Sequence, residues 1–103
     1  MRIDRRISAD PRRAVALETT LLVHGVPADA AMPLHRELSG ICRERGAVPA
    51  LAGLINGTPT VGITDDQLQA MLDRAAESPS AVPKANTANL GVLAHWGATA
   101  ATT

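Results

Sequence analysis

Two apolar runs separated by an amphipathic stretch constrain this chain more than any other feature. Residues 14 to 23, Ala-Val-Ala-Leu-Glu-Thr-Thr-Leu-Leu-Val, read as one buried strand interrupted by a single carboxylate, Glu18. A short apolar and β-branched run without alternation is how a strand covered on both faces is written. His24-Gly25-Val26-Pro27 then breaks it. From Asp29 to Arg45 the apolar residues Met32, Leu34, Leu38, Ile41 and Cys42 recur at mostly helical spacing, with Arg and Glu on the opposite face. Gly46 is the expected C-terminal cap of that helix. Ala47 to Ile55 is the second apolar run, and strand, helix, strand is the βαβ pattern of an α/β fold.

The turn chemistry extends this reading. Asn56-Gly57 is a strong hairpin turn, so Thr58 to Ile63 should return as a paired strand. Thr64-Asp65-Asp66-Gln67 has the form of a capping box, with Thr64 as N-cap and the acidic pair placed for the helix dipole. The helix it opens should turn Leu68, Met71 and Leu72 inward. Glu77 to Pro83 reads as a Ser/Pro loop, Val82 to Ala85 as a short strand, and Thr87 to His95 as a short helix started by Asn86 or Thr87. Small residues, Gly97-Ala98-Thr99-Ala100-Ala101-Thr102-Thr103, follow.

Composition bounds what such elements can build. A chain of 103 residues suffices for one small domain, which buries only about two-thirds of its unfolded surface. Trp96 is the one aromatic residue, so the core must be made of Ala, Val, Leu, Ile and Met, which bury little area each. Ten basic residues balance ten acidic ones, and nothing in that total recommends a nucleic-acid or anionic-membrane partner. Arg2, Arg5, Arg6, Arg12 and Arg13 crowd the start. Without interleaved aromatics, residues 1–13 read as a flexible, solvated leader ahead of a domain over 14–103, rather than as a nucleic-acid arm. Cys42 is the single cysteine, which excludes an internal disulfide and suits a reducing cytoplasm. No apolar stretch approaches the roughly eighteen residues of a membrane span.

A few residues have chemistry to offer. An isolated carboxylate buried in an apolar strand has its pKa raised, which is what a proton donor needs, so Glu18 is a candidate acid. The residues alone leave equally open that Glu18 pairs with an arginine or caps a helix. His24 stands where the first strand ends, the place where open α/β sheets bind ligands, although a histidine there more often bonds a loop carbonyl. Lys84 is the only lysine; amid Asn86, Thr87 and Asn89 it suits a phosphate or sugar, and an ordinary surface lysine is the alternative. No G-x-G-x-x-G or Walker sequence occurs. Cys42 with His24, His35 and His95 shows no zinc-ligand spacing, and His35 on the charged helix is expected in solvent.

Taken in order, Val15-Ala16-Leu17-Glu18-Thr19-Thr20, His24-Gly25-Val26-Pro27, Gly46-Ala47-Val48-Pro49-Ala50, Val61-Gly62-Ile63, Lys84 and Gly97-Ala98-Thr99 resemble the pseudouridine-5′-phosphate glycosidase family, also described as indigoidine synthase A-like. The resemblance runs from Ala14 onward and reaches about the first third of the family's length. It implies that the chain is the N-terminal, βαβ-containing portion of a larger α/β/α layered domain. The implied reaction is reversible cleavage of the C–C glycosidic bond of pseudouridine 5′-phosphate to uracil and ribose 5-phosphate, through a ring-opened sugar held as a Schiff base on a lysine. By the resemblance Glu18 is the proton donor, Lys84 contacts the sugar phosphate, and the backbone near Ala101 makes a further substrate contact. Manganese is the implied metal; its aspartate ligand and the Schiff-base lysine belong to segments beyond Thr103, and Lys84 is not that lysine. A homo-oligomer acting on a small phosphosugar or nucleotide is implied as well. The family's Gly-Ala-Thr-Thr-Val reads Gly-Ala-Thr-Ala-Ala here, which removes a hydroxyl. The alternative is a non-catalytic α/β fragment that binds phosphosugar weakly or offers its sheet edges to partners.

Overall fold

A computed structural model of the chain describes residues 1–85 and 97–100. Its elements, in chain order, are β1 (Arg2–Ile3), α1 (Arg5–Ala9), a 3-10 turn (Pro11–Arg13), β2 (Ala14–Glu18), α2 (Thr20–His24), α3 (Ala28–Glu44), β3 (Val48–Ile55), β4 (Thr58–Val61), α4 (Asp65–Glu77), a second 3-10 turn (Pro79–Ala81), β5 (Lys84–Ala85) and β6 (Gly97–Ala100). This is a mixed α/β fold with one six-stranded sheet, ordered β1-β4-β3-β6-β5 with β2 also paired to β3. The expected βαβ unit is present. β2 and β3 pair in parallel from Ala14 opposite Val48 to Glu18 opposite Ala52, joined through α2 and α3.

Local chemistry accounts for most boundaries. Gly46 has φ +75, Asn56 φ 51 and Gly57 φ 75; these left-handed residues end α3 and turn the β3–β4 hairpin. Thr64 caps α4 from both directions: its side chain accepts from Gln67 N at 3.1 Å, while Gln67 Oε1 accepts from Thr64 N at 3.0 Å. Leu68, Met71 and Leu72 pack inward from α4, forming the main core with Leu22, Ala31, Leu51, Ile63 and Val82. Leu54, Ala85 and Ala98 form a second, smaller cluster.

Three expectations change. The run from 14 to 23 is not one strand: it is extended only to Glu18, and Thr20–His24 winds into a helix. The strand stops where its partner changes, because β3 pairs with β2 up to Ala52 and with β6 from Gly53 onward. Among the described residues β2 pairs with β3 alone; Leu17 packs against the main core, while Val15 is 41% exposed and Glu18 is exposed. On α3 the fully buried residues are Ala31, His35 and Ser39, small or polar groups that let the helix approach closely, whereas Ile41 is 50% exposed. His35, expected in solvent, is therefore inside. The leader's arginines are exposed, yet the segment carries structure: Arg2 and Ile3 pair with Thr60 and Val61, and Ile7 is buried. The helix expected over Thr87 to His95 lies outside the described residues.

Candidate active site

β2 and β6 lie along the same edge of β3 and run toward each other. Glu18 at the end of β2 is opposite Ala52, and the next β3 residue, Gly53, is opposite Thr99 of β6. Thr99 is in turn opposite Lys84 of β5. The sheet register thus puts Glu18 in line with Thr99 along that edge, one residue step away, with Lys84 beyond Thr99 on β5, about 10 Å, or two strand spacings, from Gly53. The carboxyl ends of strands are the usual place for a ligand in an α/β sheet.

Hydroxyl and backbone contacts lock the arrangement. Thr19, fully buried, donates from Oγ1 to Ala52 O at 3.0 Å, tying the residue after Glu18 back to β3. Thr20 Oγ1 donates to Thr99 Oγ1 at 2.9 Å, joining the start of α2 to β6 across 79 residues of sequence. Thr99 N donates to Pro83 O at 2.9 Å, which fixes the residue before Lys84. His24 Nε2 is 2.8 Å from Val82 O; a carbonyl only accepts, so Nε2 carries the hydrogen. Of the two roles open to His24, the structure shows the bond to a loop carbonyl. It holds the far end of α2 against the segment leading into Lys84.

Gly53 sits at the centre, where a side chain would crowd its neighbours. A Cβ at this position would lie 3.0 Å from Ile63 Cδ1, 3.1 Å from Ala98 O and 3.3 Å from Thr19 Oγ1. The glycine is needed for close approach, as glycines within strands often are.

The structure therefore brings Glu18, His24 and Lys84 to one end of the sheet and adds Thr19, Thr20, Thr99 and Gly53, which sequence reasoning did not single out. The Thr-Thr pair after Glu18 and the Gly-Ala-Thr turn hold these hydroxyls in plain sight, but only the register shows that they meet. Ala101 lies outside the described residues. Glu18 is exposed, so the desolvation argument for it has no basis here; its candidacy rests on position. Among the described residues no group of three or more His, Cys, Asp or Glu side chains could hold a metal ion. No helix among the described residues is long and apolar enough to cross a membrane. A cavity of about 210 Å³ lies elsewhere, between the leader, α3 and the β4–α4 junction, and includes neither Glu18 nor Lys84.

Comparison with known proteins gives this geometry a context. Residues 5–103 match the family described as Indigoidine synthase A like protein. The pseudouridine-5′-phosphate glycosidase of Saccharopolyspora erythraea is 38% identical over 92 residues, 89% of this chain and 29% of that protein. That of Streptomyces griseus is 39% identical over 89 residues, 86% of this chain and 26% of the relative. The chain thus spans between a quarter and a third of the length of these curated relatives. Among solved structures, an indigoidine synthase A-like protein of Thermotoga maritima aligns with a TM-score of 0.74 at 28% identity, over 85% of this chain and 29% of that one. Prealnumycin C-glycosynthase, solved in complex with ribulose 5-phosphate, aligns with a TM-score of 0.64 at 28% identity, over 98% of this chain and 32% of that one.

Proposed function

This chain belongs to the indigoidine synthase A-like family, and from that premise we propose that it carries the proton-donor and phosphate-binding part of a pseudouridine-5′-phosphate glycosidase site. The reaction is reversible cleavage of the C–C glycosidic bond to uracil and ribose 5-phosphate. The observation that carries the reading is the register that brings the end of β2, at Glu18, up to Thr99 of β6, with Lys84 paired to Thr99 from β5. Alternation along the strands turns Glu18 and Lys84 to opposite faces of the sheet, so a phosphosugar engaging both would sit around the end of β2 rather than across the buried β6. A solved structural relative holding ribulose 5-phosphate supports the substrate class.

The roles follow from the chemistry. Lys84 is a compact point charge on a flexible stem, suited to a phosphate dianion. A C–C bond has no heteroatom leaving group, so cleavage needs an electron sink, which a Schiff base between the opened sugar and a lysine supplies. Glu18 moves the proton that the departing base gains or loses. Its exposed place at a strand end suits a group that must reach substrate. The backbone at Ala101 is a further substrate contact in this reading. Phosphosugar binding without turnover is the second reading, carried by the place of Lys84 beside Thr99 alone.

Grafting residues 5–103 in place of the matching segment of the Saccharopolyspora erythraea relative tests the assignment. The graft should release uracil from pseudouridine 5′-phosphate with manganese, and Glu18→Gln in the graft should lower the rate by at least about a hundredfold. A folded graft that is inactive supports binding alone. An active graft indifferent to Glu18→Gln would remove Glu18 from the mechanism.

A further inference from the structure

His24 is the last residue of α2. A Cβ on Gly25, which follows it, would lie 2.8 Å from Leu21 O, so the chain can turn away directly after the histidine because that position has no side chain. Thr20 and His24 are spaced four apart and share one face of α2. From that face Thr20 Oγ1 donates to Thr99 Oγ1 at 2.9 Å, and His24 Nε2 donates to Val82 O at 2.8 Å. The two side chains thus bridge α2 to β6 and to the run that leads into β5.

What lies between those contacts restricts Lys84. Val82 is fully buried in the main core. Pro83 follows, and proline has a fixed φ, biases the residue before it toward an extended backbone and has no N–H by which it could be tethered. The carbonyls of Val82 and Pro83 are what can hold this junction, and both are used: Val82 O accepts from His24, and Pro83 O accepts from Thr99 N at 2.9 Å. Lys84 comes next and pairs directly with Thr99, whose hydroxyl is the one that meets Thr20. Directly paired residues share a face of the sheet, so Lys84 leaves the sheet on the side where α2 lies.

We propose that His24 is a positioning residue for phosphate binding by Lys84: holding Val82 O from the end of α2, it fixes the backbone from which the ammonium is presented to the sugar phosphate. The inference rests on the phosphosugar reading of the Glu18 and Lys84 site. Because α2 begins two residues after Glu18, the same short helix ties the residue that moves the proton to the one that binds the phosphate. A lysine stem is long and flexible. With its backbone anchored beforehand, only the side chain's own freedom is lost when the phosphate binds.

Ribose 5-phosphate is titrated by NMR into the ¹⁵N-labelled unmodified chain and into His24→Leu, His24→Asn, His24→Gln and Thr64→Ala. Glutamine can place an amide N–H where Nε2 stands, asparagine is too short to reach Val82 O, and leucine donates nothing. His24→Leu and His24→Asn should each weaken binding about fivefold, the worth of one positioning hydrogen bond. Both should also speed amide exchange at Thr99, whose N–H bonds Pro83 O. His24→Gln should bind within about twofold of the unmodified chain. Thr64→Ala loosens the remote cap of α4 and should lower stability without changing affinity. Unaltered binding or unaltered Thr99 exchange in His24→Leu and His24→Asn, binding by His24→Gln as weak as theirs, or an equal loss in Thr64→Ala would overturn the positioning role and leave the phosphosugar reading standing. An unmodified chain that binds no ribose 5-phosphate would overturn that reading and the positioning role with it.

Discussion

Replacing Gly53 by alanine adds one methyl group at the junction where β2 and β6 meet. Three neighbours lie within 3.3 Å of the new carbon: Ile63 Cδ1, Ala98 O and Thr19 Oγ1. The Ile63 methyl can turn aside. Ala98 is a backbone position paired with Leu54, and Thr19 is fully buried with its hydroxyl bonded to Ala52 O. Neither can yield unless β6 or the start of α2 moves. Overpacking of this kind costs about 1–3 kcal/mol, offset by roughly 0.4–1 kcal/mol from the stiffer unfolded chain. A net loss of about 1–2 kcal/mol follows, and each kcal/mol lowers Tm by roughly 4–8 °C at this size. Urea unfolding followed by circular dichroism measures it, with the slope unchanged and the midpoint lowered. Gly40→Ala is the control: it lies inside α3 with nothing within 4 Å of the added carbon, and should gain about 0.5–1 kcal/mol. If Gly53→Ala unfolds at or above the wild-type midpoint while Gly40→Ala is stabilised, the close approach of β6 to β3 is not as described.

Two further outcomes are expected. Thr64→Ala removes one half of the capping box and leaves Gln67 N without its side-chain acceptor; stability should fall by about 1 kcal/mol in the same urea assay. Asp4 has its carboxyl held below the ordinary 3.8, first by the hydrogen bond from the Arg6 backbone N–H and then by the Arg6 side chain. Its stabilising effect is therefore fully present above the unfolded-state value and is lost as pH falls through the lower folded value. Asp4→Asn should flatten the acid limb of stability measured between about pH 2 and 5 and leave its slope near neutrality unchanged.

Where a boundary depends on one residue's conformational preference, the sequence was legible. Gly46, Asn56-Gly57 and Thr64 to Gln67 act within a single turn, and each is found in the role its chemistry predicts. The inward set of α4 was legible for the same reason, a clean helical period. What could not be read depended on distant partners. The end of β2 is set by β6, some 80 residues away, and Thr19-Thr20-Leu21-Leu22-Val23 is as compatible with a strand as with a helix until that partner appears. His35 was hidden because burial on α3 is set by the elements that pack against it, β3 and α4 among them, and not by its own helix. The threonines that join β2, α2 and β6 were not legible, because hydroxyls in small-residue runs have no periodicity to read. The burial expected of Glu18 failed with the strand reading on which it stood.

The central claim is that Glu18 and Lys84 serve one phosphosugar site where the end of β2 meets β6. Titrating the ¹⁵N-labelled chain with ribose 5-phosphate tests it most directly, residue by residue. The account predicts saturable amide shifts at Thr20, Lys84 and Thr99, weakened at least about tenfold in Lys84→Ala, which removes the charge facing the phosphate. Shifts that leave Thr20 and Thr99 unmoved, or a Lys84→Ala chain that binds as well as the unmodified one, would contradict it.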